Sequence, residues 1–535
     1  MSRLDPPSRI VPEVLRHQAR HYPDHRFLKC GGDWLTYGVL NRRSERLAAG
    51  LAGLGIGKGD RVAMLVPNRI EFFEVFYAVA KLGAILVPFN AYLKGEFLRY
   101  QLVDSAAKIL VTDRSGLASA SPLLADTELT HVVLIDDVDS DDVGVPVVRL
   151  ADLPSDEMVP EMELTQADLM AISYTSGTTG MPKGCMLSHG YYTLMPSAYF
   201  EEGWFRPGED VLFTPWPVFN AGGHALANMI GLVGRTSVIY EPEFHASTFM
   251  QRVREEQATV LWSTGMPGLA VLAQPVDPDE TRHSLRFACF VPMPVAKQQE
   301  FAERFAVPVL EGTYGQTETV PTTISPVAGP RKPGTCGRPV WYLDVRIVDE
   351  LDEEVPRGQP GEIVVRPKNP GGMYQGYWRK PEESLETFRN LWHHTGDAGQ
   401  MDDDGFVSFV DRKKDAIRRR GGINVSSVEL ETAVMRHPGV ELVAAFALPS
   451  AMTEDEIVVA VVPRPGADLT PRGLFEFFKT ELPYYAVPRY VNVRDKLPVN
   501  AMGRVMKQPL RDQGIDSATW DLEAMGFRVT KGDRR

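Results

Sequence analysis

The sequence lacks several features that would have pointed to other functions. Its four cysteines, Cys30, Cys185, Cys289 and Cys336, lie far apart without metal-type spacing, which excludes a disulfide scaffold and a zinc module and fits reduced thiols. No stretch reaches the roughly eighteen consecutive apolar residues of a membrane-spanning helix. The opening Met1-Ser-Arg-Leu-Asp-Pro-Pro has no apolar signal core, and Thr530 to Arg535 carries no prenylation or peroxisomal signal. A cytoplasmic location without a membrane span is the expectation. A basic excess is also missing: 57 Lys and Arg against 70 Asp and Glu give a net charge of −13, which argues against nucleic acid as a partner. There are no internal repeats and no low-complexity tract, and 44% hydrophobic with 24% charged residues excludes disorder, collagen and coiled coil. At 535 residues the chain exceeds a single core and calls for more than one folding unit.

What is present is concentrated first in Tyr174-Thr-Ser-Gly-Thr-Thr-Gly-Met-Pro-Lys-Gly184, eleven residues with three glycines, four aliphatic hydroxyls and a lysine. Glycines let backbone N–H groups converge on an anion, hydroxyls donate further hydrogen bonds, and lysine adds a mobile positive charge. The preceding Leu169 to Tyr174 reads as a buried strand, so the loop leaves a strand end, where α/β sheets hold ligands. An ordinary Gly/Ser/Thr surface turn would need neither the lysine nor so many hydroxyls. Spacing excludes a Walker A loop, because Lys183 follows a proline and precedes Gly184; the run Gly53 to Gly59 misses the register of a dinucleotide fingerprint.

Helical and apolar runs alternate from Val11 to about Thr165, with strands over 61–66, 85–89, 109–112 and 131–135 and helices over 42–54 and 71–82. That alternation predicts βαβ units and a largely parallel sheet. A second α/β stretch follows to about Val320. From Pro339 to about Val410 short β-rich segments with Gly-Pro turns predict a small β subdomain. A charged stretch at Asp411 to Asp415 marks a boundary with its hinge near Lys414, and alternating elements beyond it predict a compact α+β domain. The expected fold is therefore α/β: a large N-terminal domain over 1–412, made of two α/β subdomains plus a small β subdomain, then a small mobile α+β C-terminal domain over 413–520 and a tail over 521–535.

Two further stretches carry chemistry. In Glu311-Gly-Thr-Tyr-Gly-Gln-Thr-Glu318, Tyr314 can stack on a purine, Gly315 permits close backbone approach, and Thr317 with Glu318 can bind phosphate and Mg²⁺. In Trp392-His-His-Thr-Gly-Asp397, the lone aspartate can accept hydrogen bonds from both hydroxyls of a ribose, although taken alone it reads first as a turn residue.

In their order along the chain, these stretches resemble the motifs of the adenylate-forming superfamily of acyl-CoA synthetases, luciferases and peptide-synthetase adenylation domains. Asp411-Arg412 with Lys414 is similar to the hinge of that superfamily, and Gly59 to Ala63, Gly361-Glu362 and Gly376-Tyr377 match lesser motifs, so the resemblance covers about residues 10–515. It implies two steps: an acid oxyanion attacks the α-phosphorus of Mg·ATP to give an acyl-adenylate and pyrophosphate, then a thiol, usually that of coenzyme A, displaces AMP. It also implies that Ser176, Thr178, Thr179 and Lys183 hold the β/γ-phosphates, Glu318 the Mg²⁺, Tyr314 the adenine, and Asp397 with Arg412 the ribose, within a nucleotide-binding set that includes Thr175, Gly177, Gly315 and Thr317. Thr178 and Glu318 thereby enter the catalytic set. Asn220, His224, Trp262 and Met293 are the pocket-wall candidates, together with Phe219.

Three departures from the superfamily fall around the acid. Asn220 stands where an aromatic or histidine gate is common, and Val291-Pro-Met-Pro-Val295 replaces a glycine-rich turn, removing two N–H donors. Near the C-terminus, Arg504 occupies the position of the lysine that bridges carboxylate and α-phosphate, with Lys507 three residues on. Arginine is fork-shaped and bulkier, so either residue is a candidate for the role. The expected activity is ATP-dependent acid–thiol ligation, with a small-molecule acid, ATP or AMP and coenzyme A or a carrier protein as partners. The altered pocket keeps open an amine acceptor or an oxyanion such as nitrite, and Arg504 keeps open a nucleotide-binding relative with impaired adenylation.

Overall fold

The structure is a computed structural model that describes residues 5–137, 143–157, 161–175, 181–291, 293, 295–412, 416–419, 423–450, 455–498, 505 and 507–529. Two seven-stranded sheets form its larger part. The first runs, from edge to edge, through Val147–Arg149, His131–Leu134, Ile109–Thr112, Arg61–Leu65, Ile85–Pro88, Leu169–Thr175 and Lys183–Ser188. Its pairs are parallel except the last, which is antiparallel. Its central strands are buried on both faces, which is why they read as unbroken apolar runs in the sequence.

The second sheet runs through Val309–Leu310, Phe287–Phe290, Val260–Ser263, Val211–Thr214, Ser237–Tyr240, Arg26–Cys30 and Leu35–Thr36. The earliest strand of the chain thus belongs to the later sheet, pairing Leu28 with Val238 and Cys30 with Tyr240. Helices Ile70–Lys81, His189–Glu201 and Asn228–Gly234 fill the space between the sheets. His189–Glu201 is buried on all sides, and aromatic contacts such as Phe73 to Tyr240 at 4.8 Å and Phe76 to Tyr192 at 5.9 Å weld the two sheets into one core. The Tyr77 hydroxyl donates to Asn228 Oδ1 at 2.9 Å, so the polar atoms in this layer are paired rather than stranded.

A three-stranded piece, Thr313–Tyr314, Thr323–Ile324 and Arg338–Pro339, leads into an antiparallel sheet of Leu343–Val348, Pro360–Pro367, His393–Met401 and Val407–Arg412. The last unit combines the hairpin Ala416–Arg419 and Ile423–Ser426 with helices Ser427–Val434, Pro471–Glu481 and Lys507–Gln513 around strands Val440–Pro449, Asp455–Pro463, Tyr490–Val493 and Thr519–Asp521. The segment read as a tail from 521 does not hang free over its described part. Leu522 is buried, and Phe527 lies 5.6 Å from Phe475. Among the described residues no helix is long and apolar enough to cross a membrane.

The second sheet is tied at one end by Asp210. Its carboxylate accepts from Arg286 Nε at 2.9 Å, Thr259 Oγ1 at 2.7 Å and Arg206 N at 2.6 Å, with only 2% of its side chain exposed. Removing it strands the guanidinium and two further donors. Asp210→Ala is expected to destabilise this domain by about 3 kcal/mol, read as a lowered midpoint of the first unfolding transition in urea.

Candidate functional site

The motif-bearing segments meet at one cavity of about 1160 Å³. Strands Leu169–Thr175 and Lys183–Ser188 pair with Thr175 opposite Lys183 and Tyr174 opposite Gly184, which sets Thr175, Pro182 and Lys183 at the cavity edge. Ser176, Gly177, Thr178 and Thr179 lie outside the described residues; Thr175 and Lys183 line the cavity. A Cβ on Gly184 would fall 2.5 Å from Ile172 Cγ2, so only glycine lets the two strands close here.

Lys183 Nζ sits 4.9 Å from the centre of the Tyr377 ring, and the Tyr377 hydroxyl donates to Glu318 Oε1 at 2.9 Å. Burial, together with the charge of Glu318, pushes the Tyr377 phenol far up, so it remains a donor. Glu318 is 8% exposed and faces the cavity. Among the described residues no group of three or more His, Cys, Asp or Glu could hold a metal on its own. A single carboxylate does suit Mg²⁺, which is commonly held by one or two carboxylates plus substrate phosphates.

At the other end, Asp397 Oδ2 accepts from the Tyr314 hydroxyl at 2.7 Å and from Gln316 Nε2 at 2.7 Å. Gln316 Nε2 also donates to Thr395 O at 2.8 Å, which fixes the amide between side chain and backbone acceptors of the same strand. Gly396 N donates to Glu362 Oε1 at 3.1 Å, anchoring the turn before the aspartate. Arg412 stands opposite Asp397 in the antiparallel ladder. Gly315 and Thr317 line the cavity beside Tyr314.

The expected acid wall is only partly in place. Phe219, Asn220, Ala221, Gly222 and Val291 line the cavity. His224, Trp262 and Met293 are absent from that lining and belong to the core behind it. In a π-helical turn over Gly222–Ala227, His224 N donates to Asn220 O at 3.1 Å, while its ring turns to the core, with Nδ1 2.8 Å from the Tyr192 hydroxyl; burial pushes this imidazole down to about 3, so it is neutral. Trp262 is enclosed by Tyr199 at 5.0 Å, Trp204 at 5.3 Å and Trp216 at 5.0 Å. Met293 is buried with Phe213, Phe290 and Phe301.

The C-terminal unit completes the enclosure with Val425, Glu429, Leu430, Leu482, Pro483, Tyr485 and Ala486. Asn90 Nδ2 donates to the Tyr485 hydroxyl at 2.8 Å, and the Tyr92 ring lies 5.0 Å from Tyr484 and 6.1 Å from Phe219. Arg436 bridges Glu96 at 3.3 Å and Glu481 at 3.4 Å. Lys507 is held elsewhere: its Nζ donates to Ser427 Oγ at 2.6 Å and pairs with Glu431 Oε1 at 2.8 Å. Arg504 and Lys414 lie outside the described residues. Gln316 and Glu429 were not singled out from the sequence, and Tyr377 entered it only within the lesser motif Gly376-Tyr377. Gln316 was within reach, because residues two apart on an extended segment share a face and Tyr314 is two before it; the helical Glu429 reads like any solvated acid.

Two α/β halves, a β subdomain carrying a buried aspartate, and a C-terminal unit closing the cavity define an acid-activating, nucleotide-dependent ligase. The chain belongs to the AMP-binding enzyme family: the family model for AMP-binding enzymes matches residues 15–378 and that for the AMP-binding enzyme C-terminal domain matches residues 429–504. It is 31% identical over 488 residues to a crotonobetaine/carnitine–CoA ligase of Citrobacter koseri, covering 89% of this chain and 93% of that protein. Among solved structures, o-succinylbenzoate-CoA synthetase from Bacillus subtilis, a double mutant bound to a product analogue, superposes with a TM-score of 0.80 at 24% identity, over 94% of this chain and 98% of that one. A fatty acyl-CoA synthetase of Mycobacterium tuberculosis matches with a TM-score of 0.66 at 28% identity, over 95% and 98% of the two chains. The chain is an AMP-forming ligase of the acyl-CoA synthetase type.

Gln316→Leu leaves Asp397 with one fewer donor. Nucleotide binding is expected to weaken by about 10-fold or more, as for a lost hydrogen bond to a charged group worth about 1.5–3 kcal/mol, measured calorimetrically with AMP.

Proposed function

We propose that the chain is a Mg·ATP-dependent acyl-CoA synthetase acting on a monocarboxylic acid whose tail carries no second negative charge. The observation that carries this reading is the convergence of Asp397, held by Tyr314 and Gln316, with Glu318, Tyr377 and Lys183 on one enclosed cavity. Asp397 and Arg412 bind the ribose, and Tyr314 with Gly315 flanks the adenine. Lys183, Thr175, Thr317 and the loop over 176–180 hold the phosphates that leave as pyrophosphate. Glu318 holds Mg²⁺, which supplies charge neutralisation where two anions must approach.

The choice of acid follows from charge. The cationic side chains among the described lining residues are Lys183, at the Glu318 end, and Arg389, which is engaged by Asp352 at 3.5 Å and Glu362 at 3.8 Å. A second carboxylate on the substrate would face Phe219, Asn220, Gly222 and Val291, where the described lining residues offer no cation, at the cost of its desolvation. In the first step the acid carboxylate attacks the α-phosphorus, the bond to the β-phosphate breaks, and pyrophosphate leaves. In the second, a thiol sulfur bonds to the acyl carbon, AMP departs, and one proton is released.

Because Lys507 is already paired with Ser427 and Glu431, Arg504 is the residue assigned to neutralise carboxylate and α-phosphate. Arg504→Ala is expected to slow acid-dependent pyrophosphate release by about 100-fold, the loss of roughly 3 kcal/mol of transition-state stabilisation; Lys507→Ala is expected to slow it by less than about 10-fold while lowering thermal stability, since its pair with Glu431 is structural. The decisive experiment screens pyrophosphate release from ATP across acids, with and without coenzyme A, including dicarboxylates and betaine acids. Thioester formation from monocarboxylates supports the reading. Adenylate without thioester would turn it toward an amine or carrier-protein acceptor, and nucleotide binding with no pyrophosphate for any acid would leave an inactive relative.

A further inference from the structure

The thiol step releases a proton, and the groups assigned to nucleotide and acid account for none that would take it. Glu429 is the one carboxylate among the described residues that the C-terminal unit contributes to the cavity wall. It lies on helix Ser427–Val434, and its neighbours along that wall are Val425, Leu430, Leu482, Pro483 and Ala486, all apolar. The polar group from a neighbouring element that couples to it is the Tyr485 hydroxyl, itself anchored to the N-terminal domain by Asn90 Nδ2. Glu431, two residues on, turns instead to the sheet, where its Oε1 accepts from Ala445 N at 2.8 Å and pairs with Lys507. The same helix therefore carries one acid paired to the sheet and another on the cavity wall.

We propose that Glu429 is the catalytic base of the transfer step, receiving the proton of the incoming thiol as its sulfur attacks the acyl-adenylate. The inference rests on the acid–thiol ligase reading above. The S–H bond breaks toward the Glu429 carboxylate, the S–C bond forms, the acyl C–O bond to the phosphate breaks, and AMP leaves with the electron pair; the carboxylic acid later returns its proton to water. Burial pushes the Glu429 carboxyl up to about 8, toward the value of about 8.5 for a free thiol, so the carboxylate that accepts the proton is populated as pH rises toward that value. Because Glu429 arrives with the C-terminal domain, the base is complete only when that domain is docked as it is here.

The test separates the half-reactions in the full-length protein. Acyl-adenylate is formed first, with pyrophosphate release recorded, and is then mixed either with coenzyme A or with an aromatic thiol already ionised near neutral pH. In Glu429→Gln, transfer to coenzyme A is expected to slow by about 100-fold or more, within the range for loss of general-base catalysis. Transfer to the ionised thiol is expected to change by less than about 3-fold, because no proton remains to be taken, and Glu429→Asp is expected to recover part of the coenzyme A rate. Equal slowing with both thiols would overturn the proposal in favour of a structural role, and an unchanged coenzyme A rate would overturn it in favour of the leaving phosphate as acceptor. Absence of any adenylate in the unaltered protein sinks the ligase reading itself, a result visible before a variant is compared.

Discussion

The Asp397 end of the cavity depends on holding one buried carboxylate still. Asp397 is 2% exposed, and its Oδ2 takes hydrogen bonds from both Tyr314 and Gln316. A carboxylate at that depth is tolerable only with such donors. The donors come from the short strand after the second sheet and the acceptor from the β subdomain, so the relative position of those two parts is set by the requirement to satisfy one charge. Tyr377 repeats the device at the opposite end, joining Glu318 to the segment that follows the β subdomain's second strand and lying beneath Lys183.

Much of this was readable from the residues. A parallel strand buried on both faces leaves an unbroken apolar run, and Ile109–Thr112 falls where that run is; Leu343–Val348, in an antiparallel sheet, and Tyr490–Val493 also fall on their apolar runs. What escaped was set by distant pairing. Nothing near Arg26–Cys30 announces that it will lie beside Ser237–Tyr240, because parallel pairing leaves no local turn signal. Thr519–Asp521, three residues long, is likewise held by a distant partner, pairing antiparallel with Tyr490–Val493.

The pocket wall shows a different limit. Trp262, His224 and Met293 are apolar or amphipathic groups near the acid motif, and a core and a pocket wall ask for the same chemistry. Only the three-dimensional arrangement separates them: Trp262 has aromatic neighbours on its sides, and His224 is turned toward Tyr192. Asn220, by contrast, remains exposed at the cavity. Of the side chains proposed from the sequence for the pocket wall, Phe219 and Asn220 line the cavity, and Trp262, His224 and Met293 do not.

Tyr92 touches both the ring of Phe219 in the pocket wall and the ring of Tyr484 in the C-terminal unit. A single side chain in that position makes the two surfaces share one packing energy. Whatever shifts Phe219 when the pocket fills alters the seat of the C-terminal domain, and by reciprocity the seating of that domain alters how well the pocket is filled. Selectivity for the acid would then be expressed partly in how readily the two domains close, at a residue that need never contact the substrate.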